Sequence, residues 1–235
     1  MNSSKIERKF REENEMIPII VSYLNMRGFS VEEQVQSRSL GKPDVVGYIL
    51  NEKKVKTRLQ QLQRIPLDSL AYQKVLDALP CSSTVRFDEL LTKVNISESY
   101  LKGRILKRLE EAGYLRLEDQ DIIKVNGFID FCKKIVTIEA KLEDWKRAFF
   151  QARRNQFISD YCYIAISEDF ESRVERSVLK EYGVGLLIVG PRGVTESIRA
   201  KKSNNLDTAL KNLFVEEIWR RIADMKFEEF DGTDH

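Results

Sequence analysis

Apolar positions along the chain switch between a helical period and a strand period. Met16, Ile20, Tyr23 and Leu24 recur at helical spacing within residues 4–27, which predicts a first helix capped by Ser3 or Ser4 and stopped by Gly28. Pro18 interrupts that pattern. It removes a backbone donor, so it either kinks the helix or opens a second helical piece. Phe29–Val35 and Val45–Leu50 read as strands, joined through the turn Gly41-Lys42-Pro43 and Asp44. Ile135–Ala140 is a β-branched apolar run and reads as a buried strand. A helix to about Gln156 follows, with Trp145, Ala148, Phe149 and Ala152 on one stripe. Tyr161–Ser167 and Gly185–Gly190 are further strands, separated by a helix over Glu171–Tyr182. Residues 204–225 form a closing helix carrying Leu206, Leu210, Leu213 and Trp219, and the residues after Phe230 read as a disordered tail. Strands alternating with helices in this way predict an α/β fold of the α+β, mixed-sheet kind.

The middle of the chain has a different texture. Lys53, Lys54, Lys56 and Arg58 form a basic run followed by Gln60, Gln61 and Gln63, the kind of charge run that usually makes a solvated face. Pro66–Leu79 reads as a helix ended by Pro80, Arg86–Val94 as a second, and a third begins at Ser97 and ends at Gly113. Tyr114–Leu117 and Ile122–Val125 are short strands around a polar turn. In the third helix Leu101, Ile105 and Leu109 point inward at i, i+4, i+8, while Arg104, Lys107 and Arg108 share another face. Basic and acidic residues are equal in number between Arg64 and Asn126, so this segment is not strongly basic.

A chain of 235 residues has room for one large domain or two small ones. Apolar residues at 42% and charged residues at 32% describe a soluble globular protein, and a net charge of +2 neither demands nor excludes nucleic acid. No apolar run approaches the roughly 20 residues needed to cross a membrane, and the first residues lack a signal-peptide core. The expectation is a cytoplasmic protein with no membrane partner. Cys81, Cys132 and Cys162 are far apart and make no CxxC pair, so they read as small buried side chains. The single histidine is the last residue, His235, which removes Ser-His-Asp, Cys-His and histidine-zinc chemistry. Hydrolysis would have to rest on carboxylates, lysine and a hard, oxygen-loving metal.

Those parts converge on one stretch. On a strand through residue 141, Glu139 and Lys141 face one side and Ala140 the other. A carboxylate and an ammonium at the end of a core strand are costly to bury unless each has a partner or a metal. Asp44 stands at the mouth of the neighbouring strand. Two carboxylates and a lysine so placed are the parts needed for metal-assisted phosphodiester hydrolysis. Glu-x-Lys also occurs at Glu7/Lys9 and Glu52/Lys54, but only Glu139/Lys141 follows a β-branched run and precedes an amphipathic helix. For Asp44 the plain alternative is a turn aspartate after a proline.

Pro43-Asp44 and Glu139-Ala140-Lys141, with Gln151-Ala152 and Asp160-Tyr161-Cys162-Tyr163-Ile164-Ala165 behind them, resemble the signature of the PD-(D/E)XK nuclease superfamily. The resemblance covers residues 10–50 and 133–190. It implies a restriction endonuclease-like core over 1–52 and 128–235, interrupted by a module at 59–126 that resembles a winged helix-turn-helix domain. It further implies a metal-dependent endodeoxyribonuclease, a hydrolase of phosphodiester bonds. Mg²⁺ or Mn²⁺ would be held by Asp44, Glu139, the Ala140 carbonyl and Glu13, with Asp44, Glu139, Lys141 and Gln151 as the catalytic set. Glu13 is otherwise part of a solvated acidic turn, and Gln151 otherwise a surface amide. DNA contacts are expected from Arg104, Lys107, Arg108, Lys53 and Lys54. The acidic hairpin at Glu118, Asp119 and Asp121 opposes close DNA approach and leaves protein contact as the module's other role. The rival expectation is a non-cleaving DNA-binding regulator or assembly subunit that keeps the nuclease fold. Partners would be DNA and a second copy or a larger nuclease complex.

Overall fold

The computed structural model describes residues 9–37, 40–80, 84–119 and 121–231. Ser3, Ser4, Glu7, Cys81 and His235 lie outside them. In chain order a 3-10 turn (Glu13–Glu15) precedes α1 (Ile17–Met26), β1 (Ser30–Glu33), β2 (Val45–Leu50), α2 (Glu52–Gln60), α3 (Leu70–Ala78), β3 (Thr84–Arg86) and α4 (Phe87–Val94). Next come α5 (Glu98–Tyr100), a π-helical segment (Leu101–Leu106), α6 (Lys107–Glu111), β4 (Leu115–Glu118), β5 (Asp121–Lys124) and β6 (Cys132–Lys141). The chain continues through α7 (Trp145–Asn155), β7 (Tyr161–Ser167), a 3-10 segment (Glu168–Arg173), α8 (Arg176–Glu181), β8 (Gly185–Gly190), β9 (Gly193–Ile198) and α9 (Thr208–Asp231).

These elements fall into two units. The first comprises the described residues up to Leu50 together with Cys132–Lys211. Its centre is a six-stranded mixed sheet ordered β1-β2-β6-β7-β8-β9. β6, β7 and β8 run parallel, and the outer pairings are antiparallel. On one face Met16, which precedes α1, and Ile20 and Leu24 of α1 pack against Val136, Ile138, Ala140 and Leu187. On the other, α7 packs Trp145, Ala148, Phe149 and Ala152 against Cys162, Ile164 and Ile166. Each such aliphatic or aromatic side chain contributes about 1.5–3 kcal/mol on burial, so covering both faces fixes the register of β6. The mixed α/β sheet is as the sequence implies.

The second unit comprises residues 51–131 and the described residues from Asn212 onward. A three-stranded antiparallel sheet, β3-β5-β4, shares its core with α3, α4 and the helical run from Glu98 to Glu111. Leu101, Ile105 and Leu109 are fully buried, as their spacing predicts. The π turns carry Gly103, and a wider turn is tolerated there because its outer side faces solvent.

Several expectations are corrected. From residue 9 onward the single helix expected over 4–27 is a 3-10 turn and a separate α1. Pro18 opens that second helical piece, as one of its two expected roles has it: it sits in the first turn, where its missing N–H costs nothing. Gly28 and Gly113 do terminate helices, with left-handed φ of 79° and 77°. The basic run is a helix, α2, and Arg58 is not on its solvated face: it is 0% exposed. Its guanidinium forms two parallel 2.8 Å bonds to Glu216 on α9 and lies 4.4 Å from the Trp219 ring. Trp219 Nε1 donates to the carbonyls of Gln63 and Arg64, and the Phe131 ring meets that of Trp219 at a tilt of 57° with centroids 5.1 Å apart. These contacts assign residues 212–231 to the second unit, whereas the sequence reading gave them to the core with 128–211. No helix among the described residues is long and apolar enough to cross a membrane.

Candidate active site

β6 outruns its antiparallel partner. The β2 pairing ends at Val45↔Ile138, while the parallel pairing to β7 continues to Lys141. The backbone N–H of Ala140 therefore lacks a strand partner on the β2 side. Asp44, one residue before β2, supplies it: Asp44 Oδ2 accepts that N–H at 2.9 Å. Proline at 43 leads into the turn that holds Asp44 at this position. The same oxygen lies 3.5 Å from Lys141 Nζ, which also donates to the Ala140 carbonyl at 2.7 Å and to Glu13 Oε2 at 2.9 Å. Lys141 is 7% exposed, Asp44 partly buried and Glu13 half-exposed. Burial pulls the lysine pKa down, but the adjacent Glu13 and Asp44 carboxylates outweigh it and leave it raised.

Glu139 faces α7. It is 2% exposed, and its Oε1 accepts a 2.6 Å bond from Asn155 Nδ2. Its Oε2 is buried with no hydrogen-bond partner among the described residues. Burial pushes its pKa up to about 7; the Asn155 amide opposes the rise, Asp44 adds to it, and Lys141 and Arg154 oppose it. A carboxyl poised near neutrality in a strand-end cluster is a mark of functional sites.

The donor set suits a hard divalent ion. Three oxygens from Glu13, Asp44 and the Ala140 carbonyl converge on one cationic point, and Glu139, two residues before Lys141, carries a buried carboxylate oxygen with no hydrogen-bond partner among the described residues. As the side chains stand, that point is the Lys141 ammonium. Among the described residues no three His, Cys, Asp or Glu side chains gather closely enough to hold a metal without rearrangement.

Gln151 lies on α7 one turn before Asn155, with its Oε1 buried and without a hydrogen-bond partner among the described residues. Asn155, not Gln151, makes the hydrogen bond to Glu139. Sequence reasoning missed Asn155, although its i+4 spacing from Gln151 beside the apolar stripe of Ala148 and Ala152 was a usable signal. Asp144 caps α7 by accepting from the Arg147 N–H at 3.0 Å, which orients this helix face over β6.

The expected DNA contacts all lie in the second unit. Arg104 and Lys107 are exposed, Arg108 is half-buried, and the three line one depression with Gly103, Asp68 and Tyr72. Arg108 also stands 3.8 Å from Glu111. Lys53 and Lys54 are exposed on the first turn of α2.

No protein-family model matches the chain. No curated protein sequence matches it. Among solved structures it is similar to the SPO1766 protein of unknown function from Silicibacter pomeroyi, at 12% identity and a TM-score of 0.45, with 95% of each chain covered. So distant a likeness says nothing about chemistry.

Proposed function

We propose that the chain is a metal-dependent DNA endonuclease of the PD-(D/E)XK type, with a winged helix-turn-helix module inserted between β2 and β6. The observation that carries the reading is the meeting of Glu13, Asp44 and the Ala140 carbonyl on Lys141, beside a Glu139 carboxyl held near neutrality. A bound Mg²⁺ or Mn²⁺ supplies a water of lowered pKa and stabilises charge developing at phosphorus. Asp44, Glu139 and the Ala140 carbonyl would hold the ion, with Glu13 at the exposed side. Lys141, released from Asp44, would donate to a phosphate oxygen and offset its charge. Asn155 fixes the Glu139 rotamer, and Gln151 would assist from the same helix face. Glu139 must lose its proton to serve as a ligand, so ion binding and proton release are linked. The depression lined by Arg104, Lys107 and Arg108 offers phosphate contacts, with Lys53 and Lys54 as further cations.

One observation favours a second reading, a non-cleaving DNA-binding or assembly subunit: the chain's own ammonium already satisfies Asp44 Oδ2 and the Ala140 carbonyl. Incubating supercoiled, linear and single-stranded DNA with Mg²⁺, Mn²⁺ or EDTA, beside Lys141→Ala, decides between them. The nuclease reading expects metal-dependent nicking that the variant lacks. Intact DNA with folded, metal-loaded protein, or undiminished cleavage by Lys141→Ala, would refute it.

A further inference from the structure

Consecutive residues of β6 serve opposite faces of the sheet. Glu139 faces the candidate active site; Ile138 and Val136 floor a cavity of about 270 Å³ on the α1 side. Its walls are aromatic: Tyr23, Phe29, Tyr161 and Tyr163. Arg27, Lys134 and Arg199 line it against a single carboxylate, Glu196. That carboxylate is already engaged, because Tyr163 Oη donates to Oε1 at 2.7 Å and Arg27 Nη1 to Oε2 at 3.2 Å. The Lys134 ammonium lies 5.6 Å from the Tyr161 ring centre and 5.9 Å from that of Phe29. Among the described residues neither Lys134 nor Arg199 has a carboxylate partner.

The wall is built to hold its shape. A Cβ on Gly185 would come within 2.3 Å of the Tyr163 ring and 2.9 Å of the Ala200 nitrogen, so only glycine lets that ring lie across β8. Flat aromatic walls take a planar ring by stacking. Two cations without acidic partners on the lining of one cavity favour an anionic ligand, to which each can donate a charge-assisted hydrogen bond. The volume of about 270 Å³ lies just under the usual span of ligand pockets, about 300–1,000 Å³, and leaves room for no more than one nucleotide.

We propose that this cavity is a nucleotide-binding site, with the base against the tyrosine rings and the phosphate on Lys134 and Arg199. The occupant is either a free mononucleotide or one nucleotide of a strand. The proposal does not depend on the nuclease reading.

Calorimetric titration of the full chain in EDTA with deoxynucleoside monophosphates, the parent nucleosides, inorganic phosphate and a short oligodeoxynucleotide tests it. The protein should bind monophosphates, and the double variant Lys134→Glu with Arg199→Glu should bind at least tenfold more weakly. Tyr161→Leu, which leaves both cations in place, should also weaken binding and serves if the double variant fails to fold. Lys141→Ala should bind as the parent does. Binding confined to the oligonucleotide but lost in the same variants assigns the occupant to a strand. No binding of either, binding indifferent to the pocket variants, equal affinity for inorganic phosphate, or loss in Lys141→Ala would each overturn the proposal. The last result would move the ligand to the candidate active site whether or not DNA is cut.

Discussion

Replacing Glu139 by glutamine should change how stability depends on pH. The Glu139 carboxyl has its pKa raised from the ordinary 4.5 to about 7, chiefly by burial. An acid whose pKa is higher in the folded state binds more protons folded than unfolded between the two values. Its contribution to stability is full below about 4.5, falls as pH rises towards 7, and stays lost above that. At about 1.4 kcal/mol for each tenfold change in the ionisation equilibrium, the whole span is worth roughly 3 kcal/mol. Glutamine keeps an oxygen to accept from Asn155 Nδ2 but brings an amide donor to the place where Oε2 has no partner. That second effect carries a cost independent of pH. The diagnostic is therefore the slope of the difference between the two proteins, in which carboxylates remote from Glu139 cancel. Urea unfolding in EDTA at pH 5 and pH 8 should show the variant gaining roughly 2–3 kcal/mol on the parent between the two. A difference constant within about half a kcal/mol would show that Glu139 ionises as an ordinary surface carboxylate, and the account of the site would be wrong.

Glu216→Ala should destabilise the chain by about 3–5 kcal/mol in urea unfolding, because it leaves the Arg58 charge buried without its partner. Arg58→Met combined with Glu216→Leu should recover most of that loss. Arg104→Ala with Lys107→Ala should weaken DNA binding uniformly across sequences, and each phosphate contact removed should lower the salt slope by about 0.9; an unchanged slope would assign that face to protein contact. Gly185→Ala should cost about 1–3 kcal/mol or more through overpacking against Tyr163 and Ala200, read as a lowered unfolding midpoint.

The legible parts of the chain were those in which local pattern and tertiary role agree. Ile135–Ala140 is buried on both faces because the sheet is covered on both, and Leu101, Ile105 and Leu109 keep their spacing through the π turns. Asp44 and Lys141 were found because a charge at the end of an apolar run is conspicuous. β9 was not, since Gly-Val-Thr-Glu-Ser-Ile is a half-exposed edge strand with little alternation. β3 has only three residues, too few to show a period. Arg58 was misread because lysine and arginine are surface residues by default; its partner stands 158 positions away and no local window contains both. The same distance hid the place of α9. Asn155 escaped notice for a different reason: its chemistry lies in the bond to Glu139, which a helical wheel of α7 alone does not reveal.

The ion pairs at the end of β6 explain how oxygen donors can cluster there without a metal. Glu13, Asp44 and the Ala140 carbonyl together present a concentrated negative potential at a partly buried strand end, which would be costly if left bare. Lys141 supplies a tethered cation at that point, and its raised pKa keeps it charged through the neutral range. Glu139, turned towards Asn155, meets the same problem in the other way, by holding a proton up to about pH 7. A divalent ion entering the cluster would have to move the ammonium off Asp44 and the proton off Glu139. The two displacements are coupled through the proximity of Asp44 to both groups. If the site holds a metal as proposed, its affinity should therefore climb with pH through the range where Glu139 titrates, because the ion must displace that proton.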